Sequence, residues 1–219
     1  MCYVPSYSSV ERWLDQQESN AAGDLVIAYD DLLDVIRVFV AAVPFDEIWY
    51  LTEYPAVGAL FRCTPAATAR SHFVTHGYFE GRRPCRTGWN GCPDVIGFDE
   101  LQRLFRIERQ RGRLIAEVSR DDILTAISHL LEAVPVDAAW YLSSQTQDTI
   151  GENPTDLSRH FAWTGYFQGL LPAHVPVDAD WYVARYQHVR DGLARGVALD
   201  AQDHFLKLGY QEGCRPTPP

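Results

Sequence analysis

One motif occurs three times in this chain, and its spacing constrains the fold more than any other feature. A Val-Pro-apolar-Asp segment leads into Trp-Tyr; a His-Phe pair follows, then Gly-Tyr, a second Gly and a Pro. The copies run from Val43 to Pro84, from Val134 to Pro172 and from Val175 to Pro216. His72, His160 and His204 stand five residues before Gly77, Gly165 and Gly209. A second glycine follows four later, at Gly81, Gly169 and Gly213, and a proline three after that, at Pro84, Pro172 and Pro216. From Trp49, Trp140 and Trp181 to the histidine of the same copy is 23, 20 and 23 residues, so the length variation falls in an internal loop. Such regularity predicts small units that bury their apolar faces against neighbours.

A longer correspondence surrounds the first two copies. Asp31 to Asp122 and Trp49 to Trp140 are both 91 residues apart. The chain therefore reads as a first half over 1–90, a second half over 91–173 and a shorter third copy over 174–219. The stretch from Pro84 to Phe98, rich in Gly and Pro, is the expected boundary between the halves.

Each unit reads as a helical hairpin. Asp46, Asp137 and Asp178 sit three residues before the Trp and are candidate N-caps, because a carboxylate accepts the orphan N–H groups of a first turn. A second helix carries the His-Phe pair, and Gly77, Gly165 and Gly209 are expected to end it in a left-handed conformation. Leu32, Leu33, Ile36, Val40 and Val43 fall on one helical face, as do Ile123, Ile127, Leu130, Leu131 and Val134. Asp30-Asp31 and Asp121-Asp122 are expected to cap these leader helices. The apolar segments 24–29 and 113–118 read as two short strands that pair with each other. Asp99 to Gln110 reads as an amphipathic helix. The fold class expected is mainly α, with duplicated helical-hairpin repeats and two short β-strands. Disorder is expected only over Met1 to Ser9 and Arg215 to Pro219.

Charge removes several function classes. The formal net charge is −10 over 219 residues. Phosphate backbones and anionic membranes repel such a surface, so no nucleic-acid partner is expected. No apolar run is long enough to span a bilayer, and the N-terminus lacks the basic-then-apolar pattern of a signal peptide, which makes the cytoplasm the expected location. Five cysteines in such a chain argue against a disulfide framework. Cys85 and Cys92, which flank CRTGWNGC, read as incidental thiols, with an opportunistic disulfide as the alternative.

No catalytic residue, metal site or cofactor is expected. The repeated histidines read as structural, since a residue present in every copy builds the copy. His72 and His76 have the i, i+4 spacing of helical metal ligands, but copies two and three place Thr164 and Leu208 at the second position. Phosphate loops, nucleophile elbows and paired carboxylates are absent from the sequence. Candidate contact residues are Trp89 at the tip of the Gly-rich loop, and a strip of Tyr78, Tyr166 and Tyr210 with Arg82 and Arg83. The competing reading packs those tyrosines inside their own units. An enzyme of unknown class would require His76, His129, His174, His188 or Cys85 to converge in a cleft.

Asp46-x-x-Trp49-Tyr50-Leu51-x-x-Tyr54-Pro55-x-Val57, followed by the segment His72 to Pro84, resembles a short repeat of bacterial proteins that accompanies polysaccharide-synthesis domains and occurs in some surface proteins. Copy two departs from it, with Gln145 to Asp148 in place of the Tyr-Pro segment and Gln168 and Leu170 in place of Glu and Arg. The resemblance implies a non-enzymatic interaction or scaffold module accessory to exopolysaccharide synthesis, with another protein, a glycan or a second copy of the chain as partner. A carbohydrate-binding module is the first alternative and an enzyme the second.

Overall fold

The computed structural model describes residues 3–61, 68–86, 92–144 and 154–218. The described chain is mainly α. Its helices are α1 Tyr7–Leu14, α2 Tyr29–Val40, α3 Glu47–Glu53, α4 Pro55–Phe61, α5 Ala69–His72, α6 Phe98–Leu101, α7 Arg120–Leu131, α8 Ala138–Ser144, α9 Pro154–His160, α10 Ala179–Arg185, α11 Gln187–Ala194, α12 Ala201–His204 and α13 Tyr210–Glu212. Four strands, β1 Glu18–Ser19, β2 Leu25–Ala28, β3 Arg106–Gln110 and β4 Arg113–Val118, form one antiparallel sheet in the order β1-β2-β4-β3.

The two expected strands do pair. Leu25 opposes Val118 and Ile27 opposes Ala116 across β2 and β4, and these four side chains are buried. Period-two alternation places them on one face, and α2 packs against both strands. The helix expected over 99–110 is corrected. Only Phe98–Leu101 is α-helical, and Gln102–Leu104 tightens into a 3₁₀ turn. The chain then becomes β3 and reverses through Arg111 and Gly112 into β4. Both turn residues have positive φ, 48° and 83°. This is the backbone demand of a two-residue I′ hairpin, whose twist matches the flanking strands.

The leader helices bury the expected faces, Leu32, Ile36, Val40 and Val43 on one and Ile123, Ile127, Leu130, Leu131 and Val134 on the other. Their caps differ from the expectation. Ser119, not an aspartate, accepts the Asp122 N–H at 3.0 Å, and α2 begins at Ala28 without a side-chain cap. Asp30, Asp31, Asp121 and Asp122 lie in the first turns, where they face the positive ends of the helices. One apolar core takes residues from both 1–90 and 91–173, and a second, smaller core gathers around Tyr182, Val189, Phe205 and Tyr210. Trp140 packs against both.

The three matching segments share one geometry. Asp46, Asp137 and Asp178 cap their helices by accepting from Trp49, Trp140 and Trp181 N–H at 3.0, 3.0 and 3.1 Å. The backbone N–H of each aspartate donates to the closing proline of its own segment, Pro84, Pro172 or Pro216, at 3.0, 3.0 and 2.9 Å. Each segment is thereby tied from its first helix to its last residue.

The expected role of the first glycines is corrected. Gly77, Gly165 and Gly209 do not end helices in the left-handed region. They lie inside wide π turns, Phe73–Gly77, Phe161–Gly165 and Phe205–Gly209. The tyrosine hydroxyl of the first helix presses against that glycine. A Cβ on Gly77, Gly165 or Gly209 would overlap the hydroxyl of Tyr50, Tyr141 or Tyr182. The left-handed positions belong to Gly81, Gly169 and Gly213, with φ of 75°, 80° and 81°. There the N–H of the residue after each glycine, Arg82, Leu170 or Cys214, donates back to the first glycine's carbonyl at 2.8 to 2.9 Å, a Schellman-type closure.

The chain ends are ordered against each other, contrary to the expectation for Met1 to Ser9 and Arg215 to Pro219; Met1, Cys2 and Pro219 lie outside the described residues. Val4 and Ser6 are buried. Tyr3 Oη donates to Cys214 O at 3.2 Å, Ser8 Oγ to Gln211 O at 2.7 Å and Arg12 Nη2 to Glu212 O at 2.9 Å.

The glycine contact is testable by a double-mutant cycle. Gly77→Ala alone should cost about 1–3 kcal/mol through overpacking. Tyr50→Phe alone should cost about 1 kcal/mol for the lost hydrogen bond. The pair should cost clearly less than the sum, because removing the hydroxyl opens the space a Cβ needs. Additive costs in urea denaturation would refute the contact.

Candidate functional site

The tyrosine that presses on each glycine also meets the repeated histidine. Tyr50 Oη lies 3.1 Å from His72 Nδ1, Tyr141 Oη 2.9 Å from His160 Nδ1 and Tyr182 Oη 3.2 Å from His204 Nδ1. Tyr50, Tyr141 and Tyr182 are fully buried. Burial raises the Tyr50 and Tyr182 hydroxyls above their ordinary range, so both remain protonated at neutral pH. Burial, and then the Arg82 guanidinium and His76, lower the His72 imidazole, against a smaller opposing effect of Glu80.

The tyrosine strip proposed for contact is corrected. Tyr78, Tyr166 and Tyr210 are 3%, 0% and 1% exposed, which removes them from any surface that a ligand could touch. Each packs edge-on against the phenylalanine of its own segment, Phe73, Phe161 or Phe205. Trp49, Trp140 and Trp181 are half-buried alike. Arg82 is bound within its segment, 2.7 Å from Glu80 and 3.4 Å from His72 Nε2. The Arg83 N–H donates to Tyr54 Oη at 3.2 Å. Trp89 lies outside the described residues. Cys85 and Cys92 are joined in a disulfide, which corrects the reading of two incidental thiols.

The five groups that an enzyme would need to bring together have separate surroundings. His76 lies with its ring tilted against His72, His129 packs edge-on against Trp163, and His174 is exposed. Cys85 is held in the disulfide. His188 differs from the rest, for it meets two other ligand-type groups. Its Nε2 lies 3.3 Å from Glu212 Oε2 and 3.9 Å from Cys214 Sγ. The three donor atoms all fall within 4.8 Å of one another. His188 comes from the first turn of α11, Glu212 from the end of α13, and Cys214 follows the left-handed Gly213. Sequence reasoning named His188 singly and missed the trio. Aligning copy three with copy one, Cys214 against Arg82, was the signal that could have found it.

No protein-family model matches the chain, and neither a curated protein nor a solved structure is similar to it.

His72 supplies a pH test. Its folded pKa lies below the unfolded value of about 6.5, so the folded state favours the neutral ring. That contribution is fully present above about pH 6.5 and is lost as the pH falls through that value toward the folded pKa. Wild type should therefore lose stability relative to His72→Gln on acidification from about pH 8 to about pH 5. A constant difference between the two melting curves would mean that His72 is not held neutral.

Proposed function

We propose that this chain is a non-enzymatic interaction module, built from repeats of one helical hairpin and accessory to bacterial polysaccharide synthesis. The observation that carries this reading is a division of labour among side chains. The residues common to all three copies are consumed by internal contacts: the aspartate caps, the Tyr–His pairs and the glycines. The most exposed large aliphatic residues stand instead where the copies differ. Ile48 is 82% exposed, and Ala139 and Asp180 hold its place in the other copies. Leu199 is 90% exposed, two residues from the half-exposed Val197. Solvated aliphatic side chains at non-repeated positions favour recognition of a partner over service to the fold. The link to polysaccharide synthesis rests on the sequence resemblance of the segments from Asp46 to Val57 and from His72 to Pro84.

Affinity capture from lysate of the source cells, with Leu199→Asp and Ile48→Asp as comparison baits, tests the reading. Wild type should retain a stoichiometric partner, and at least one variant should recover under a tenth of it with an unchanged melting temperature. Equal recovery on all baits, or no partner at any salt, would defeat it.

A glycan partner is the second reading, favoured by one observation. Trp163 is 41% exposed, and its Nε1 donates to Glu132 Oε1 at 2.6 Å. Glu132 belongs to an open cleft of about 630 Å³ that Asp94, Pro135, Ser158 and Arg159 also line. An exposed indole beside convergent polar groups suits a sugar ring. Calorimetry with oligosaccharides of the cell's own polysaccharide should give binding that Trp163→Ala abolishes; no heat with wild type would remove this reading.

A further inference from the structure

Among the positions where the third segment departs from the first, two have a chemical sense together. In copy one, Arg82 puts a guanidinium between the Glu80 carboxylate, 2.7 Å away, and His72. In copy three the carboxylate persists as Glu212, but Cys214 replaces the arginine and His188 stands where copy one has Ala56. The position that a cation fills in copy one is thus surrounded in copy three by a thiol, an imidazole and a carboxylate.

Two chemistries could use these three groups. A nucleophilic cysteine needs an imidazole that takes the thiol proton on one nitrogen while the carboxylate orients the ring through the other. That arrangement is not what the atoms form. Cys214 Sγ and Glu212 Oε2 both face the same nitrogen, His188 Nε2. Three donor atoms of ligand type gathered within 4.8 Å of one another suit a metal ion instead. Two of the three separations lie at or near the range an ion needs, and the third is within 4.8 Å. Zinc bonds of about 2.0–2.3 Å at tetrahedral angles separate ligand atoms by roughly 3.3–3.8 Å. Here Nε2 to Oε2 is 3.3 Å and Sγ to Nε2 is 3.9 Å.

We propose that His188, Glu212 and Cys214 form a binding site for a thiophilic divalent cation of the zinc class, with its fourth position open to solvent. A thiolate and a carboxylate neutralise the two charges of the ion, and binding releases the thiol proton to solvent. The softness of sulfur selects against magnesium and calcium. Cys214 is buried while His188 and Glu212 reach the surface, so the ion enters from the water side and rests on a fixed sulfur. The Tyr182 hydroxyl, held against Gly209 and 3.2 Å from His204 Nδ1, belongs to the same buried layer as Cys214. The N-terminal segment fixes the backbone of two of the three ligand-bearing residues, Cys214 and Glu212. Tyr3 Oη donates to Cys214 O and Arg12 to Glu212 O, which leaves the side chains of both free to face the ion. Arg12, which holds the Glu212 carbonyl, is also a nearby cation whose charge opposes the ion's.

The test uses the full chain without reductant, so that the Cys85–Cys92 disulfide stays closed, with Cys2 and Cys63 replaced by serine to remove other thiols. Cobalt(II) is the spectroscopic probe and zinc(II) the competitor. One cobalt per chain should bind, with a sulfur-to-cobalt charge-transfer band in the near ultraviolet that zinc bleaches stoichiometrically. Cys214→Ser should abolish the band. His188→Ala and Glu212→Gln alter exposed side chains that the core does not need, and each should weaken binding tenfold or more at an unchanged melting temperature. No charge-transfer band with cobalt in excess would overturn the site, as would a band that survives Cys214→Ser or affinities that ignore both His188→Ala and Glu212→Gln.

Discussion

The contact between a buried tyrosine hydroxyl and a helical glycine organises each of the three segments. Tyr50, Tyr141 and Tyr182 can approach only because Gly77, Gly165 and Gly209 carry no side chain. The approach draws two helices together more closely than any pair of side chains would allow. It also delivers the hydroxyl to the histidine five residues before the glycine, so that a polar atom inside an apolar layer has a partner. The wide turn around the phenylalanine and glycine fits the same demand, because an i→i−5 bond shifts the backbone away from the regular helical path. Wide turns of this kind are uncommon and are usually held by a local requirement. In this chain the requirement is packing, since it recurs in every copy.

From that contact the remaining architecture follows in order. The left-handed glycine reverses the chain four residues later, and the closing proline accepts a bond from the aspartate that caps the first helix. Three such closed segments still need a common core. The leader helices α2 and α7 and the sheet provide it for the first two, because β2 and β4 pair across the long correspondence between the halves. The third segment lacks a leader of its own. Its turn is covered instead by the N-terminal stretch, through Tyr3, Ser8 and Arg12. A chain end that looks too short and polar to order itself is ordered by hydrogen bonds to carbonyls that no sequence pattern reveals.

The repeated residues and the unrepeated ones serve different purposes. Histidine in all three copies meets a buried tyrosine hydroxyl, and in the third copy it is itself buried. The one cluster of metal-type donors among the described residues stands where the copies diverge. Copy one uses Arg82 and Glu80 to neutralise each other beside His72, copy two has Leu170 and Gln168 and carries no charge there, and copy three has Cys214 and Glu212 with His188 added. One scaffold thus presents an ion pair, an apolar contact and a cluster of metal-type donors at the same place in its geometry.

The sequence by itself determined the capping aspartates, the buried faces of the leader helices and the pairing of the segments around Leu25 and Ala116. Each of these depends on neighbours a few residues apart or on strict periodicity, which a linear reading can count. The strand Arg106–Gln110 was written in the sequence as the Arg111-Gly112 turn, but the helical spacing of Phe98, Leu101 and Phe105 concealed it. Only the tertiary structure decided which glycine turns left-handed and which admits a hydroxyl, because glycine permits both and the choice lies with a tyrosine more than twenty residues away. The same holds for the burial of Tyr78, Tyr166 and Tyr210 and for the meeting of His188, Glu212 and Cys214. Aromatic rings next to arginines look alike on paper whether they face water or a core, and donor atoms from two separate elements become a site only when the fold brings them within 4.8 Å.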